Sequence, residues 1–356
     1  MAISQLSLTD FRNLDSTTLE FDKRINLVSG ANGSGKTSLL EAVFVLCQAQ
    51  SFRTHQLRQC IAHDRSGFLL FGRFDNFKAG LSRNDRKLEI RIDGETINRR
   101  SDLVKLAPIN IVNSDSFVLV DGAPAKRRAF LDWCLFHVKP SYVENWRKFQ
   151  HALKQRNRLL KSRTDLQLLD YWDQYLVEPS VSISRMRAEY TEKLRAMMSA
   201  RHQPLLQGLE LDVEYRRGWD DEQSLVECLV AQRKQDIRSG FTTLGIHRDD
   251  IELRSSDRKA GEILSRGQSK RVCIALLMSA LEIVNEEASK PVILLIDDLN
   301  SELDQEARKQ AYAQFGAMNL QLIISNIEAN VPEGLEPKEY KMFHVKHGTI
   351  RPRNLG

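Results

Sequence analysis

The chain alternates between two hydrophobic patterns, one typical of strands and one typical of helices. Residues 2–8 and 17–21 carry apolar side chains at every second position, which predicts half-buried strands. Residues 25–30 form an apolar run that ends in glycine, as a buried strand does when it leads into a loop. Apolar residues at helical spacing follow in 38–49. The start of the chain therefore predicts a strand, a loop and a helix in succession.

Other strands are predicted from the same patterns. Short alternating runs with an Asp-Gly turn fill residues 68–97 and indicate an antiparallel sheet. Further strand-like runs lie at 108–113, 209–218, 291–298 and 320–325, and residues 242–253 are predicted to form a strand and a turn. Between 291–298 and 320–325, residues 305–315 have helical spacing.

The pattern changes near Asp121, where a helical and very polar segment begins and continues to about His202. We therefore predict an α/β fold in which a P-loop ATPase lobe with a mixed sheet is interrupted by a mainly helical domain. The predicted boundaries are 1–120 and 207–356 for the lobe and 121–206 for the inserted domain.

Composition narrows the class of protein only slightly. Among 356 residues, 52 are Lys or Arg and 47 are Asp or Glu, so the net charge of +5 permits a nucleic-acid partner without requiring one. The scattered cysteines are expected to be buried free thiols. We expect a cytoplasmic protein without a signal peptide or membrane partner, because the apolar run 272–281 is too short to span a bilayer.

The segment "GANGSGKT" predicts a nucleotide triphosphate site. It fits GxxxxGK[ST] between a predicted strand and a predicted helix, where backbone N–H groups, a lysine and a hydroxyl converge on phosphates and magnesium. The expected ATP-binding residues of this loop are Gly30, Ala31, Asn32, Gly33, Ser34, Gly35, Lys36, Thr37 and Ser38.

A carboxylate for the metal is expected at the end of a neighbouring buried strand, and "VILLIDD" supplies one. Asp297 is the predicted Mg ligand together with Thr37. Asp298 is the candidate general base for the attacking water, and Lys36 completes the catalytic set.

A second anion site is predicted more than 200 residues later, in "LSRGQ". Ser265 and Gly267 open a helix there, and the expected ligand-binding residues are Ser265, Arg266, Gly267 and Gln268. Because one nucleotide does not need two separate cradles, we expect two subunits to share ATP head to tail, with hydrolysis releasing them.

Several motifs together resemble those of a known family. "LSRGQ" resembles the signature motif of ABC ATPases, and "SELD" after the Asp pair resembles their D-loop. "LSLTDFRNL" and "LLEAV" resemble the SMC and RecF group, whereas "SFRT", "GAPAKRRAFLDW", "KQRNRLLK", "GIHRDD" and "LSRGQSKR" resemble the RecF family specifically.

That resemblance implies a head like those of SMC proteins, with a helical domain instead of a long coiled coil. It also implies an ATPase that dimerises on ATP. We expect that ATPase to be weak because of Asp298, and we do not expect a nuclease because no Cys/His or Ser/His/Asp arrangement for hydrolytic chemistry stands out. The resemblance further implies binding to gapped or junction DNA, double- or single-stranded, and cooperation with RecR and RecO to load RecA. In SMC-type heads an arginine near the strand of the "LSLTDFRNL" motif contacts the nucleotide phosphates, and Arg12 is the matching residue in this chain.

The chain departs from related patterns at a few positions. ABC transporters carry Glu where Asp298 stands, so we expect slow hydrolysis suited to a timer. Ile246 replaces the usual Pro of the family, and Ser325 with Asn326 occupies the place of a switch histidine. The Q-loop is assigned to residues 113–115.

DNA contacts are predicted in three basic clusters of the inserted domain, where Lys139 to Arg163 alone contains eight basic residues and one acid. The other two clusters are Lys126, Arg127 and Arg128, and Arg185, Arg187, Lys193, Arg195 and Arg201. No base-reading motif is present, so binding should follow DNA backbone and shape. His344 and His347 lack the neighbours of a metal site and are expected to be exposed.

Three other functions fit the sequence less well. A transporter ATPase subunit would place its signature motif closer to the P-loop and would lack the basic insert. A structural SMC subunit would need heptads that this chain does not sustain. A small-molecule kinase would leave "LSRGQ" and "SELD" without a role.

Overall fold

The computed structural model describes residues 2–255, 257–288 and 290–353, which form two compact units. The split unit comprises Met1–Phe117 and Val284–Gly356, and the central unit comprises Val118–Ile283.

Twenty-five helices and strands are described in chain order. The first ten are β1 Ile3–Thr9, β2 Thr17–Glu20, β3 Ile25–Ser29, α1 Lys36–Gln48, β4 Gly67–Phe74, β5 Lys78–Asn84, β6 Leu88–Ile92, β7 Glu95–Ile97, α2 Arg100–Leu106 and β8 Ile109–Val112. The next ten are α3 Pro124–Val138, α4 Tyr142–Ser162, α5 Leu169–Arg201, α6 Gln203–Leu206, β9 Asp212–Arg216, α7 Leu225–Ser239, β10 Asp250–Ser255, β11 Arg258–Lys259, α8 Ala260–Ile263 and α9 Arg266–Glu287. The last five are β12 Ile293–Asp297, α10 Gln305–Ala317, β13 Gln321–Asn326, β14 Lys341–Lys346 and β15 Thr349–Arg353.

The split unit contains two six-stranded sheets. One is antiparallel throughout, in the order β2-β1-β4-β5-β6-β7. The other has the order β15-β14-β3-β13-β12-β8 and is parallel except for the β14–β15 pair. The carboxyl ends of β3, β13 and β12 therefore lie at one edge of the mixed sheet, where the loop after β3 begins.

Helix α1 is the centre of the hydrophobic core of the split unit. Its Leu39, Val43 and Leu46 are fully buried in one cluster with Leu6 of the antiparallel sheet and Leu295 of the mixed sheet. A helix that is apolar on every face must be enclosed, which is why this one packs against both sheets.

In the central unit, α4 and α5 pack together, and charged side chains are buried beneath them. Arg156 of α4 is fully buried, and its guanidinium donates to Asp173 at 2.6 Å and to Asp236 at 2.7 Å. Arg187 of α5 is equally buried and is paired with Asp132 at 2.6 Å and Asp249 at 3.0 Å. Because each guanidinium faces carboxylates in fixed positions, these pairs specify how the elements pack.

The compact units divide the chain near the first predicted boundary but not near the second. Residues 207–283, assigned from the sequence to the ATPase lobe, belong to the central unit. The two buried pairs give the physical reason, since Asp236 and Asp249 lie in this segment and neutralise arginines of α4 and α5. Tyr215 of β9 adds a hydrogen bond to Ser184 of α5 at 3.0 Å.

The strands and helices predicted from the hydrophobic pattern are present, including the antiparallel strands within 68–97. The hairpin of β14 and β15 was not predicted. Its signal is a His347-Gly348 turn in which both residues have positive φ, of 47° and 84°, between two short alternating runs. All five cysteines are buried and free, as expected. Among the described residues, no helix has both the length and the apolar character needed to cross a membrane.

We predict that replacing Arg156 with Met lowers the free energy of unfolding of the protein by about 3–5 kcal/mol, because it leaves Asp173 and Asp236 buried without a counterion. Arg158 on the same helix is exposed, and its replacement with Met should cost less than about 0.5 kcal/mol. Urea unfolding followed by circular dichroism measures both values. Equal losses in the two variants would contradict a buried structural role for Arg156.

Candidate functional site: a phosphate-binding loop beside two aspartates

The loop between β3 and α1 curls tightly because its glycines adopt conformations that other residues avoid. Gly30 has φ of 154°, and a Cβ there would lie 2.4 Å from the carbonyl oxygen of Val345 on β14. Gly33 has φ of 77°, but a Cβ there would meet no atom within 4 Å. The loop is therefore closed against β14 on one side and open around Gly33 on the other. The buried hydroxyl of Ser34 has no hydrogen-bond partner among the described residues.

Lys36 holds a charge inside this loop. Its ammonium donates to the carbonyl oxygens of Gly30 at 2.7 Å and Ala31 at 3.0 Å. Burial lowers the pKa of Lys36, and the negative charges of Asp297 and Asp298 oppose that shift without cancelling it. The cation is thus positioned by the loop and balanced by the two aspartates.

Thr37 and Asp297 come together from distant parts of the sequence. The Thr37 hydroxyl donates to the Asp297 carboxylate at 2.9 Å. Asp297 ends β12, and the parallel register pairs it with Ser325 of β13, whose hydroxyl donates to the same carboxylate at 2.6 Å. The hydroxyl and the carboxylate form the kind of oxygen pair that magnesium prefers.

Asp298 follows in a left-handed conformation, with φ of 51° and ψ of 53°. Aspartate tolerates this region better than most residues, but it is still a sparsely populated one. The amide of Asp298 donates to the Ser325 hydroxyl at 3.2 Å, and its carbonyl accepts from Ser301 at 2.9 Å. These bonds fix the backbone at the residue predicted to orient water.

These residues line one cleft of about 500 Å³ in the split unit. Its wall includes Asn32, Gly33, Gly35, Lys36, Thr37, Ser38, Asp297 and Asp298, as well as Ser325 and Asn326. Sequence reasoning missed three further lining residues, Asn13, Arg53 and Ile327. Asn13 accepts a hydrogen bond from Ser38 at 2.8 Å. Asn13 and Arg53 belong to motifs quoted above, Asn13 to "LSLTDFRNL" and Arg53 to "SFRT".

Arg12 is held by a buried carboxylate instead of lining the cleft. Its guanidinium donates to both oxygens of Glu41, at 2.6 and 2.9 Å, and to the carbonyl of Gln59 at 2.7 Å. Such a bidentate pair is among the stronger interactions of a guanidinium. The predicted contact of Arg12 with nucleotide phosphates therefore stays a prediction, and Arg53 is the arginine found in the cleft wall.

Glu41 is another residue that sequence reasoning missed. It is fully buried in α1 and also accepts from Ser51 at 2.5 Å and Arg53 at 3.1 Å. Burial raises the pKa of its carboxyl, but hydrogen bonds from Arg12 and Ser51 and the arginine charges outweigh it, so the pKa is lowered overall. The available signal was a lone acid inside the apolar run "LLEAV".

Two assignments based on family patterns have different outcomes. Ser325 and Asn326, at the position of the switch histidine, do line the cleft. Residues 113–115, assigned to the Q-loop, are not among the residues that line it, so that assignment stays a prediction.

The signature segment caps α9. The Ser265 hydroxyl accepts from the Gln268 amide at 3.3 Å, and the Gln268 side chain accepts from the Ser265 amide at 2.9 Å. This reciprocal pair is a capping box, so the motif stabilises its own helix start. Ser265, Arg266 and Gly267 are all exposed, and a Cβ at Gly267 would meet nothing within 4 Å.

Several basic residues predicted to contact DNA are paired with groups of the protein itself. Arg156 and Arg187 are buried in the ion pairs described above, so their assignment to a DNA surface is wrong. Arg127 is also buried and pairs with Asp250 at 2.7 Å. Arg128 donates to the Asp249 carbonyl at 2.8 Å, and Arg195 pairs with Glu192 at 2.5 Å. The charge pattern alone could not indicate these pairs, because burial depends on which helix face meets carboxylates from distant parts of the chain.

The cleft has the chemistry of a triphosphate site. Its loop offers backbone N–H groups, a cation and an unpaired hydroxyl, which together suit phosphate oxygens. Among the described residues, no group of three or more His, Cys, Asp or Glu side chains is placed to hold a metal. His344 and His347 are exposed, as expected. A metal at Thr37 and Asp297 would take its remaining ligands from phosphate or water.

Comparisons with known proteins agree with this description. A family model described as "RecF/RecN/SMC N terminal domain" matches residues 2–351. The DNA replication and repair protein RecF of Chromohalobacter salexigens is 39% identical, over 98% of this chain and 99% of that protein.

Solved structures share the fold. One described as the recombination mediator protein RecF-ATP in the RecFOR pathway has a TM-score of 0.87 at 24% identity and covers 99% of this chain and 98% of that chain. An Smc head bound to the C-winged helix domain of ScpA has a TM-score of 0.59 at 15% identity, covering 100% of this chain and 98% of that one. The predicted fold, an SMC-head-like α/β lobe with a helical insertion, is therefore confirmed. With a matching family model over nearly the whole chain and a relative of this identity, the chain belongs to the RecF family.

Proposed function

We propose that this chain is an ATP-dependent DNA-binding protein of recombinational repair and replication restart, with slow ATP hydrolysis as its release switch. The contact that carries the proposal is the 2.9 Å hydrogen bond from Thr37 to Asp297, beside Lys36 in one cleft. The names of its relatives, which describe DNA replication and repair, support the same reading. So does the description of a similar solved structure as RecF with ATP.

In the ATP site, the loop amides and Lys36 bind the β- and γ-phosphates. Lys36 exchanges its bonds to the Gly30 and Ala31 carbonyls for bonds to phosphate oxygens. Thr37 and Asp297 would hold magnesium, which would neutralise part of the phosphate charge. Asp298 accepts a proton from the attacking water, and its side chain, shorter than the Glu of transporters, makes that step slow.

The signature segment completes the site of a second subunit. Gly267 has no internal need to be glycine, because its φ is not positive and a Cβ there would meet nothing within 4 Å. A glycine in such a position is explained by something that approaches the helix start from outside. Ser265 and the first amides of α9 then face the γ-phosphate bound by the partner subunit.

DNA binds along an exposed stripe of α4. Arg147, Lys154, Arg158 and Lys161 recur at spacings of seven, four and three residues, so they lie on one helix face, and all four are exposed. His151 lies in the middle of that face, and its ring contacts Trp172 of α5 at a centroid distance of 5.5 Å. Phosphates pair with the cations of the stripe, and unpaired bases stack on the aromatic rings beside it.

The aromatic group beside the stripe is unusually accessible. The side chains of Tyr171 and Tyr175 flank Trp172 and are 58% and 41% exposed. A surface with both cations and rings suits a gap or junction, which offers duplex and single strand together. On such DNA the dimer cooperates with RecR and RecO to place RecA on the single strand.

Replacing Lys36 with Met should leave a folded protein with at least about tenfold weaker ATP affinity, because a hydrogen bond to a charged group contributes about 1.5–3 kcal/mol. Fluorescence titration with a labelled ATP analogue measures the loss. The exposed Lys23 of the same unit provides the matched control, and its replacement with Met should have no effect. Wild-type affinity in Lys36→Met would contradict the assigned site.

Replacing Gly267 with Leu should abolish ATP-dependent dimerisation without weakening ATP binding by the monomer, since the added side chain projects from the exposed helix start. Ser265→Arg should likewise bind ATP as a monomer but fail to dimerise on it. Analytical ultracentrifugation with and without ATP distinguishes monomer from dimer, and Ser239→Leu at an exposed helix end serves as control. Normal dimerisation of both signature variants would exclude the shared nucleotide.

Reversing the charges of Lys154, Arg158 and Lys161 to Glu should weaken DNA binding and reduce the slope of log K against log salt by about 2–3, at 0.7–0.9 for each lost phosphate contact. Fluorescence anisotropy over a salt series on gapped DNA gives the slope. The double variant Lys234→Glu/Arg238→Glu, at exposed positions of α7, is the control. An unchanged slope would remove α4 from the interface.

A further inference from the structure

A second cleft of the split unit is rich in arginine and has no role in the proposed ATP site. It has a volume of about 740 Å³ and lies between the end of α1 and the antiparallel sheet. Arg58, Arg83 and Arg100 line it together with His55. Among the described lining residues, the only carboxylate is that of Asp85, which is exposed.

Arg83 and Arg100 are half-buried and Arg58 is exposed beside them, and no carboxylate of the described residues neutralises any of the three. Arg156 and Arg187 each face two aspartates, whereas Arg58, Arg83 and Arg100 form no ion pair within the described part of the chain. The Nε atom of Arg83 is buried and has no hydrogen-bond partner there. A half-buried guanidinium without a counterion is costly, so its persistence indicates an anion from outside the chain.

The environment of Arg100 also indicates an anion from outside the chain. Burial lowers the pKa of its guanidinium, and no negative charge among the described residues offsets that shift. Its Nε donates to the carbonyl of Gln48 at 2.5 Å, at the last residue of α1. The Arg58 Nε donates to Gln56 at 2.8 Å. Both side chains are therefore anchored by one nitrogen, which orients the remaining donors before any ligand arrives.

We propose that this cleft, defined by Arg58, Arg83, Arg100 and His55, is a phosphate-binding site distinct from the P-loop. Three guanidinium groups match the oxygens of a phosphate better than they match a single carboxylate. The hydroxyl groups of Ser51 and Thr54 also line the cleft. The phosphate comes either from a nucleic-acid backbone or from a small phosphorylated molecule.

The site is connected to the ATP cleft by the turn Ser51–Thr54. Ser51 and Thr54 line the arginine cleft, whereas Arg53 between them lines the ATP cleft. The Ser51 hydroxyl accepts from the amides of Arg53 at 2.9 Å and Thr54 at 3.1 Å. It also donates to Glu41 at 2.5 Å, so one bonded turn forms part of both walls. A phosphate bound on one side therefore constrains the position of Arg53 on the other.

The test uses the full-length Lys36→Met variant, in which the P-loop competes less strongly for phosphate. Calorimetric titration with pyrophosphate and anisotropy with a short DNA duplex form the two arms. Adding Arg83→Gln or Arg58→Gln to this variant should weaken binding about tenfold for whichever probe, pyrophosphate or duplex, represents the natural source of the phosphate. Arg86→Gln is the matched control, because Arg86 is exposed in the hairpin turn that follows Arg83. Arg58 is exposed, so its variant should remain folded, and thermal unfolding verifies this.

A loss confined to pyrophosphate identifies a small phosphorylated ligand, and a loss confined to duplex identifies a DNA backbone. Unchanged binding of both probes in Arg58→Gln and Arg83→Gln would overturn the inference, as would an equal loss in Arg86→Gln. This inference rests on the proposed function only for the duplex arm. ATP-dependent dimerisation of the chain with an intact P-loop tests that function separately, so the two failures are distinguishable.

Discussion

The enclosure of α1 between the two sheets of the split unit is the constraint on which the rest of the site depends. The helix buries apolar side chains on every face, so neither its position nor its rotation can change without opening the core. Its first residue is Lys36, and the glycine loop is therefore held at a fixed place against β14. Parallel pairing of β12 with β13 then brings Asp297 to the hydroxyl of Thr37.

The same helix carries Glu41 into the core, and this single carboxylate organises the surroundings of the cleft. It accepts hydrogen bonds from Arg12, Arg53 and Ser51. Because a buried charge must be paired, Arg12 connects the segment after β1 to the helix, and Ser51 and Arg53 connect the turn after α1 to it. The walls of the ATP cleft and of the arginine cleft therefore share one electrostatic anchor.

In the central unit, some arginines are buried in ion pairs and others are exposed, and the sequence does not distinguish the two kinds. Arg156 and Arg158 lie two residues apart, yet one is buried between aspartates and the other is exposed. An arginine directed inward needs carboxylates that come from distant segments, here Asp173 and Asp236. The inward arginines join residues 207–283 to the helices, whereas an outward arginine such as Arg158 stays exposed to solvent.

The sequence by itself determined the order and type of the elements, the P-loop, the aspartates after β12 and the family, because periodicity and contiguous motifs are local properties of the chain. It did not determine the C-terminal hairpin behind Gly30, the Glu41 pairing that holds Arg12 outside the cleft, or Arg53 in the cleft wall. It also did not separate structural from exposed arginines, or reveal the cleft where three of them lack a counterion. Those features depend on which side chains meet across long sequence separations, and burial and pairing exist only after the tertiary structure has brought them together.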